Sequence, residues 1–340
     1  MATMTRRRAT LLPATPWTDG TWDEAAGILV VLAAAALLAW LCDTYPARLP
    51  AWAPWEFSWT QFLGAALAVW WYARGVARTP AAERPHPARQ AAFGLGVASI
   101  YFVLLTHFEY AAQHMFFLNR LQHMVMHHVG PFLIALAWPG AALLRGMPVP
   151  LRRALGARWL GRAMGVIQQP ALAAFLFAGL IGLWLWPPVH FRAMINPQLY
   201  DIMNWSMVLD GLLFWCLVLD PRPVPEARTS FAVRMVITIL VMFPQIVMGS
   251  LITFSTHGLY DYYDLCGRLY PSIGALLDQH IGGTIIWIPS AMMSSIAFML
   301  ILNNVRIQED KEDRQNRLMG VELPEDAGKR IVIAASWTGR

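Results

Sequence analysis

The chain is built as a series of apolar runs separated by short polar segments. A bilayer core of ~30 Å is crossed by ~20 helical residues, and a helix pairs its own backbone groups where lipid offers no partner. We therefore predict about eight spans, at residues 25–42, 58–74, 91–108, 117–139, 166–187, 200–219, 230–254 and 281–304. The predicted fold class is an all-α, polytopic membrane helical bundle.

Composition supports one membrane domain rather than two soluble ones. Hydrophobic residues make up 57% of the 340 residues and charged residues only 14%, which is typical of integral membrane proteins. The net charge of +5 is spread over short loops and forms no basic stripe, so we do not expect nucleic acid as a partner. Cys42, Cys216 and Cys266 are widely spaced, and we interpret them as packing residues rather than as a disulfide framework.

Arginine placement predicts which side of the membrane each loop faces, because positively charged short loops stay in the cytoplasm. The arginines assigned to the inner side are Arg6, Arg7, Arg8, Arg74, Arg78, Arg84, Arg89, Arg145, Arg152, Arg153, Arg158, Arg162, Arg222, Arg228 and Arg234. Those assigned to the outer side are Arg48, Arg120, Arg192 and Arg268. With an even number of spans, both termini are predicted to be cytoplasmic.

This topology divides the chain into three parts. Residues 1–24 are predicted to form a cytoplasmic N-terminal segment, and the first run is expected to be retained as a helix rather than removed as a signal peptide. Residues 25–305 form the transmembrane domain. Residues 306–340 mix both charge signs and are predicted to be a partly disordered cytoplasmic tail.

The histidines are concentrated on the side predicted to face outward. Of the nine histidines, only His86 is assigned to the inner side. The outer group consists of His107, His114, His123, His127, His128, His190, His257 and His280. Histidines buried only for packing would not favour one side, so we predict a shared polar or metal-binding region there.

The fourth run carries the densest group of these histidines. Positions four apart share a helix face, which places Asn119, His123 and His127 on one stripe. His114 and His128 lie on nearly the opposite face and are too far apart along a continuous helix to bind one ion. We expect His128 to form hydrogen bonds or to line a pore rather than to bind a metal.

The His123 and His127 pair has two interpretations. Two imidazoles four positions apart form half of a site for copper, zinc or haem iron, and a thioether would favour Cu(I). The same rings could instead hold helices together by hydrogen bonds. Pro131 lacks an N–H, so the helix is expected to bend there and to leave the carbonyl of His127 without its helical partner. The methionines nearby, which we expect mainly to fill gaps, are Met115, Met124 and Met126.

Two carboxylates lie near these histidines in the predicted topology. Asp210 lies deep in the sixth run, where an ionised side chain needs a partner. We predict that it accepts a hydrogen bond from a histidine of the fourth run and orients it; a pair with Arg234 or Gln245 is the alternative. Asp278 precedes the eighth run and could cap that helix or act with His280 at an outer site.

Three segments in order resemble the CtaG family of membrane-embedded cytochrome c oxidase assembly factors. They are QHMVMHHVGPFLIALAWPG at 122–140, LITFSTHGLYDYY at 251–263 and DQHIGGTIIWIP at 278–289. The resemblance covers about His107 to Asn304. The matching positions are His123, Pro131, Pro139, Tyr260, Tyr263, Asp278, Gln279, Gly283 and Trp287.

The resemblance implies a non-enzymatic role in maturing a haem–copper oxidase in the bacterial cytoplasmic membrane. Copper would be the object handled, and oxidase subunits and membrane lipid would be the partners. The chain departs from the family pattern at Asn119 and Asn204, where many relatives carry histidine. Asparagine is a poor ligand for a soft metal, so either His127 or His114 replaces these ligands or the family's metal site does not apply to this chain.

Two other functional classes remain as alternatives. A haem-bearing or quinone-reactive redox protein would use His123 or His127 as an axial ligand, although the sequence offers no second histidine at the same depth on another helix. A transporter, or a purely structural partner of the oxidase, would line a polar path with Asp210 and the histidines.

Overall fold

The computed structural model describes residues 21–318, and side chains from Glu24 onward. Within this range all regular structure is helical, which confirms the all-α fold class. The α-helices are α1 (Thr21–Thr44), α2 (Trp59–Ala77), α3 (Pro87–Leu105), α4 (His107–His114), α5 (Phe116–Met124), α6 (Gly130–Ala137), α7 (Gly140–Gly146), α8 (Val149–Leu155), α9 (Arg158–Ile167), α10 (Pro170–Leu185), α11 (Pro187–Ile195), α12 (Pro197–Val218), α13 (Phe231–Leu240), α14 (Met242–Thr253), α15 (Tyr262–Cys266) and α16 (Ala275–Leu318). Short 3-10 turns lie at Pro46–Arg48 and Ala81–Glu83, and a π-helical turn lies at Val125–Val129.

Each predicted span falls on one of these helices or on a consecutive pair. Five helices of the described chain are long and apolar enough to cross a membrane, and two bent pairs raise the total to seven. The five are Glu24–Thr44, Pro87–Leu105, Pro197–Val218, Phe231–Thr253 and Ala275–Leu318. The helix α2 coincides with the second predicted run but is not among them. The membrane character is confirmed, whereas the count of eight and the side of the termini stay predictions.

The two bent pairs have local causes. Phe116–Ala137 turns by 79° into α7 at Trp138, whose backbone is left-handed with φ 51°, and Pro139 follows directly. Arg158–Ile167 turns by 70° into α10, where Pro170 occupies the first turn and Gln169 caps the backbone N–H of Leu172. Proline disfavours a helical conformation in the residue before it and is well tolerated in the first turn of a helix. Both bends therefore lie where the sequence stops one helix and begins another.

The last helix is central to the packing. It runs against α14 and α5, and Gly249 on α14 faces Gly283 on α16. A Cβ atom on Gly249 would lie 2.8 Å from the carbonyl oxygen of Gly283, so only glycine permits this approach. Gly282 also lies at a close contact, since a side chain there would collide with Phe116.

The first part of the predicted C-terminal tail is helical. Residues 306–318 continue α16, and the predicted partial disorder of the tail as a whole stays a prediction. Long charged and amide side chains are good helix formers, and extending an existing helix avoids the cost of nucleation. Gln308 also donates to Glu312 one turn later, at 3.0 Å. Residues 319–340, and the predicted N-terminal segment through residue 20 with its three arginines, lie outside the described residues.

The cysteines are all free within the described chain. Cys42 is buried and its thiol donates to the carbonyl oxygen of Pro54 at 3.2 Å. Cys266 is exposed, so the expectation that it packs inside the protein is wrong. It is the last residue of the short helix α15, which lies outside the predicted apolar runs.

Candidate functional site

His123 lies at a small internal cavity in the middle of the bundle. Its side chain is buried, and its Nε2 has no hydrogen-bond partner in the described chain. The cavity has a volume of about 30 Å³, close to the ~30 Å³ that one water molecule occupies in the liquid. The lining residues are Arg120, His123, Met124, His128, Ile181, Met207, Gln245, Ile285, Ile286 and Ser290. A buried nitrogen lone pair or N–H without a partner is costly, which makes this atom the best candidate for contact with a ligand.

The π-helical turn determines which histidine accompanies His123. Across Val125–Val129 the backbone N–H of Gly130 bonds to the carbonyl of Val125, five residues earlier. This bond spans one residue more than in an α-helix. His128 therefore lines the cavity together with His123, and His127 does not. The predicted stripe of His123 with His127 assumed regular α-helical spacing, and the extra residue in the turn is the reason that it fails.

His127 instead belongs to a chain of buried hydrogen bonds. Its Nε2 lies 3.1 Å from Oδ2 of Asp210, and its Nδ1 lies 3.3 Å from Nδ1 of His128. On the far side, Nε2 of His128 lies 2.9 Å from Oε1 of Gln245. We call these four residues the relay. The predicted hydrogen bond between Asp210 and a histidine of this segment is confirmed, and Arg234 binds backbone carbonyls elsewhere.

The relay requires one more proton than two neutral imidazoles and an ionised carboxylate would carry. Gln245 donates its Nε2 to the carbonyl of Val241 at 2.9 Å, so its Oε1 must accept from His128. His128 then has no proton on Nδ1 and accepts there from His127. Either His127 is an imidazolium beside an ionised Asp210, or Asp210 holds the proton and donates it to His127. In both forms every donor is matched to an acceptor.

Pro131 has no N–H to donate to the carbonyl of His127, and the neighbouring helix α12 supplies a donor. Nε1 of Trp215 donates to this oxygen at 3.3 Å. Gly211 makes the approach of α12 possible, because a Cβ atom there would run into the same carbonyl and lie 3.0 Å from the ring of Pro131. The segment around Pro131 is thereby held against α12, and the predicted bend at Pro131 stays a prediction.

Asn119 does not line the cavity but holds the guanidinium group of Arg120 by a hydrogen bond. Its Oδ1 accepts from Nη2 of Arg120, and its Nδ2 lies 3.8 Å from the sulfur of Met194. The guanidinium of Arg120 also lies 5.1 Å above the ring of Phe116. Asn119 is therefore not one of the residues around His123. Asn204, the other departure from the family pattern, is fully buried, and both polar atoms of its amide lack a partner.

The remaining candidate histidines are not gathered at the cavity. His107 packs against Trp55, with ring centroids 4.2 Å apart. His114 donates from Nδ1 to the carbonyl of Tyr110 at 2.8 Å, and His280 donates from Nε2 to the carbonyl of Ser255 at 2.9 Å. Among residues 21–318, no three side chains of His, Cys, Asp or Glu are placed to hold one ion. Any metal at His123 would therefore need other donors.

His190 holds the tyrosines of the loop between α14 and α16. It donates from Nδ1 to the carbonyl of Trp184 at 3.2 Å, and its Nε2 accepts from the hydroxyl of Tyr263 at 3.0 Å. Burial, and then the charge of Arg120, hold the pKa of His190 well below its usual range. Tyr260 donates to the carbonyl of Leu185 at 2.9 Å. Tyr260 and Tyr263 therefore make structural contacts, as members of the aromatic cluster around α5.

Asp278 caps a helix distant in sequence. Its carboxylate accepts from the backbone N–H groups of Phe116 and Phe117, at 3.0 and 2.7 Å, and pairs with Arg268. It thus stabilises the N-terminus of α5, where a negative charge is favoured. The predicted alternatives, a cap on its own helix or a partner of His280, are both wrong because the chain folds α5 against the start of α16.

Several contributors to the site were not predicted from the sequence. Met207 lines the cavity and Trp215 donates to the carbonyl of His127, and neither carries a polar pattern that distinguishes it from a packing residue. The sequence does offer a signal for Gln245, since an amide inside an apolar run normally bonds to another helix. Its predicted partner is Asp210, whereas its side chain bonds to His128.

A separate acidic cleft lies at the end of the bundle where α3 ends and α12 begins, which is the end predicted to face outward. The cleft has a volume of about 490 Å³, and its lining includes Glu56, Gln61, Glu109, Tyr200 and Asp201. Burial, and then the negative charges of Glu56 and Asp201, raise the pKa of Glu109 to about 8. Glu109 is therefore mostly protonated at neutral pH.

The raised pKa of Glu109 predicts a pH-dependent stability. Between about pH 4.5 and 8 the folded protein keeps a proton that the unfolded chain releases, so the free energy of unfolding falls as the pH rises through this window. The slope approaches ~1.4 kcal/mol per pH unit. Thermal unfolding in detergent from pH 5 to 9 measures it. Glu109→Gln should flatten the profile, and an equally steep profile in that variant would contradict the assignment.

Comparison with known proteins adds a family assignment. A family model described as cytochrome c oxidase caa3 assembly factor matches residues 70–306, well over half of the chain. The matched segment contains the His123 cavity and the relay, whereas Glu56 and Gln61 of the acidic cleft precede it. No curated protein and no solved structure matches the chain.

Proposed function

Because the chain belongs to the cytochrome c oxidase caa3 assembly factor family, we propose that it holds copper as cargo beside His123 and passes it to a haem–copper oxidase. The observation that carries this proposal is the buried, unpartnered Nε2 of His123 at a cavity lined by two methionines. The oxidase subunit that accepts the metal would be the partner. The bacterial cytoplasmic membrane, where haem–copper oxidases work, would be the location.

The donors present at the cavity favour the cuprous ion. Thioether sulfur and imidazole nitrogen are the soft ligands that Cu(I) prefers, and the cavity offers Met124, Met207 and His123. Both methionines are buried. The sulfur of Met124 lies 3.9 Å from the hydroxyl oxygen of Ser290. A hard divalent cation would need carboxylate or carbonyl oxygens, and no acidic residue lines this cavity.

The size of the cavity argues against haem. A volume of about 30 Å³ accommodates a single ion or water molecule, and a porphyrin is many times larger. We therefore propose no axial-ligand role for His123. Purified protein is expected to be colourless above 400 nm apart from any copper complex, since a haem would produce an intense Soret band.

The charge of Arg120 suits a carrier better than a resident cofactor site. Its guanidinium lines the same cavity and is almost fully buried, so it repels any bound cation through a medium of low dielectric constant. A singly charged ion suffers least from this repulsion. The resulting moderate affinity would allow release to a partner that offers more ligands.

Copper retention by matched histidine variants tests the proposal. The full-length protein is purified in detergent under reducing conditions, loaded with Cu(I) and titrated with a coloured Cu(I) chelator. We expect His123→Ala to lose at least tenfold in affinity, and His280→Ala, which alters an outer histidine away from the cavity, to retain the wild-type affinity. In cells, only His123→Ala should lower the copper content of the oxidase. Wild-type copper retention and oxidase maturation in His123→Ala would refute the proposal.

A further inference from the structure

The acidic cleft at the outer end is separate from the His123 cavity and has no role in the proposed copper site. It brings together three carboxylates, from Glu56 before α2, Glu109 on α4 and Asp201 at the start of α12. No basic side chain lines the cleft. None of the three forms an ion pair with a residue of the described chain. Three carboxylates therefore face one space without a counter-charge.

A buried amide oxygen provides a second, independent observation. Gln61 lines the cleft and is only 6% exposed, and its Oε1 has no donor within the described chain. A buried acceptor without a partner costs free energy that a ligand carrying N–H groups would recover. Gln61 lines both the acidic cleft and the apolar pocket between α2, α3 and α12, so its amide, when turned toward the cleft, would add an acceptor to the three carboxylates.

We propose that the cleft binds an organic cation, an ammonium or guanidinium group carried on an aliphatic stem. N–H groups of such a ligand match the acceptors, and the apolar part of the lining, from Phe57, Trp59 and Ile195, matches the stem. Aromatic rings beside the carboxylates also attract cations through their faces. The volume of about 490 Å³ is in the ~300–1,000 Å³ range of pockets for small organic ligands.

A bare metal ion fits the cleft less well. No three of the carboxylate and histidine groups in residues 21–318 are placed to hold one ion, and the space is far larger than a coordination sphere. Glu56 is exposed at the rim while Glu109 is almost fully buried. This arrangement spreads negative charge along the cleft, as an elongated cation requires, rather than concentrating it at one point.

The raised pKa of Glu109 agrees with a cleft that lacks its cation. Burial, and then the negative charges of Glu56 and Asp201, disfavour ionisation of Glu109 in the unliganded protein, and a cation placed among the carboxylates would offset the effect of those charges. Binding of the cation should therefore release a proton at neutral pH. Calorimetric titration in two buffers of different ionisation enthalpy measures this release.

The direct test is calorimetric titration of the full-length protein in detergent with agmatine, which carries both an ammonium and a guanidinium group. We expect saturable binding of one agmatine per chain. The double variant Glu109→Gln with Asp201→Asn should weaken it at least tenfold, and the rim variant Glu56→Gln, which alters an exposed position, should weaken it by a smaller factor. Glu226→Gln, an exposed glutamate distant from the cleft, is the matched control and should bind as the wild type does.

Two further experiments identify the source of the cation and test the competing explanation, a metal site. The protein is placed in nanodiscs made of either phosphatidylethanolamine or phosphatidylcholine, and agmatine binding is compared. Weaker binding in phosphatidylethanolamine would mean that the ammonium headgroup of this lipid competes for the cleft, which assigns the site to a lipid. Equal binding in the two lipids would assign the site to a soluble amine. Either result upholds the proposal. Displacement of agmatine by Mg²⁺ or Ca²⁺ at equal concentration would overturn it in favour of a metal site. Unchanged binding in both the double variant and Glu56→Gln, or no binding to the wild type, would also overturn it.

Discussion

Replacing Asp278 by alanine is expected to lower the free energy of unfolding by about 3–5 kcal/mol, the range observed when one partner of a buried ion pair is removed. The variant leaves the backbone N–H groups of Phe116 and Phe117 without their acceptor and leaves Arg268 without its buried partner. Since α5 carries both Arg120 and His123, loosening its first turn should also disturb the cavity. Thermal or chemical unfolding in detergent measures the loss of stability.

Asp264 provides the matched control for this variant. It pairs with the same Arg268, at 2.9 Å, but its side chain is 55% exposed. An exposed ion pair contributes only ~0–1 kcal/mol, so Asp264→Ala should leave the stability nearly unchanged. Equal effects of the two substitutions would show that Arg268, and not the capping of α5, accounts for the stabilisation.

Replacing Asp210 by asparagine is expected to have the second largest effect. Asparagine can neither balance an imidazolium nor supply a carboxyl proton, so the hydrogen bond to the buried His127 would be weakened in both forms of the relay. We expect a loss of about 3 kcal/mol, near the lower end for breaking a buried pair because Asp210 is 13% exposed. The measurement is again unfolding in detergent, compared with Asp43→Asn at an exposed position of α1.

The same variant tests whether Asp210 positions the copper site. Asp210 does not line the cavity, but the relay connects it through His127 to His128, which does. Loss of an orienting carboxylate typically weakens metal binding by ~10–100-fold. We expect Cu(I) retention to fall by about tenfold, beyond the change in the Asp43→Asn control. Reduced stability with unchanged copper retention would limit Asp210 to a structural role.

The helical architecture could be predicted from the sequence because it depends on local physics. Apolar runs of sufficient length have to become helices in lipid, and each predicted run coincides with a helix or a helix pair. The bend at Trp138 follows a proline signal of the same local kind. The helical extension to Leu318 was missed because its charged residues fit both a disordered segment and an exposed helix.

The site was predicted less completely because its contacts join distant parts of the chain. Asp210 was identified because a carboxylate inside an apolar run needs a partner, and His127 is that partner. The carboxylate of Asp278 reaches a helix more than 160 residues away in sequence, and no local pattern indicates which N-terminus it caps. The assumed i, i+4 spacing of His123 and His127 failed because hydrophobic periodicity does not reveal a single π-turn.

The π-turn at Val125–Val129 holds one residue more than a regular α-helical turn. Removing one residue would restore regular winding at ~100° per position. If His127 were the residue removed, His123 and His128 would stand four positions apart and would still share a face. The cavity would thus be compatible with a helix shorter by one residue, whereas the bond to Asp210 would not. In an alignment with a regular α-helix, we expect a one-residue gap at this turn.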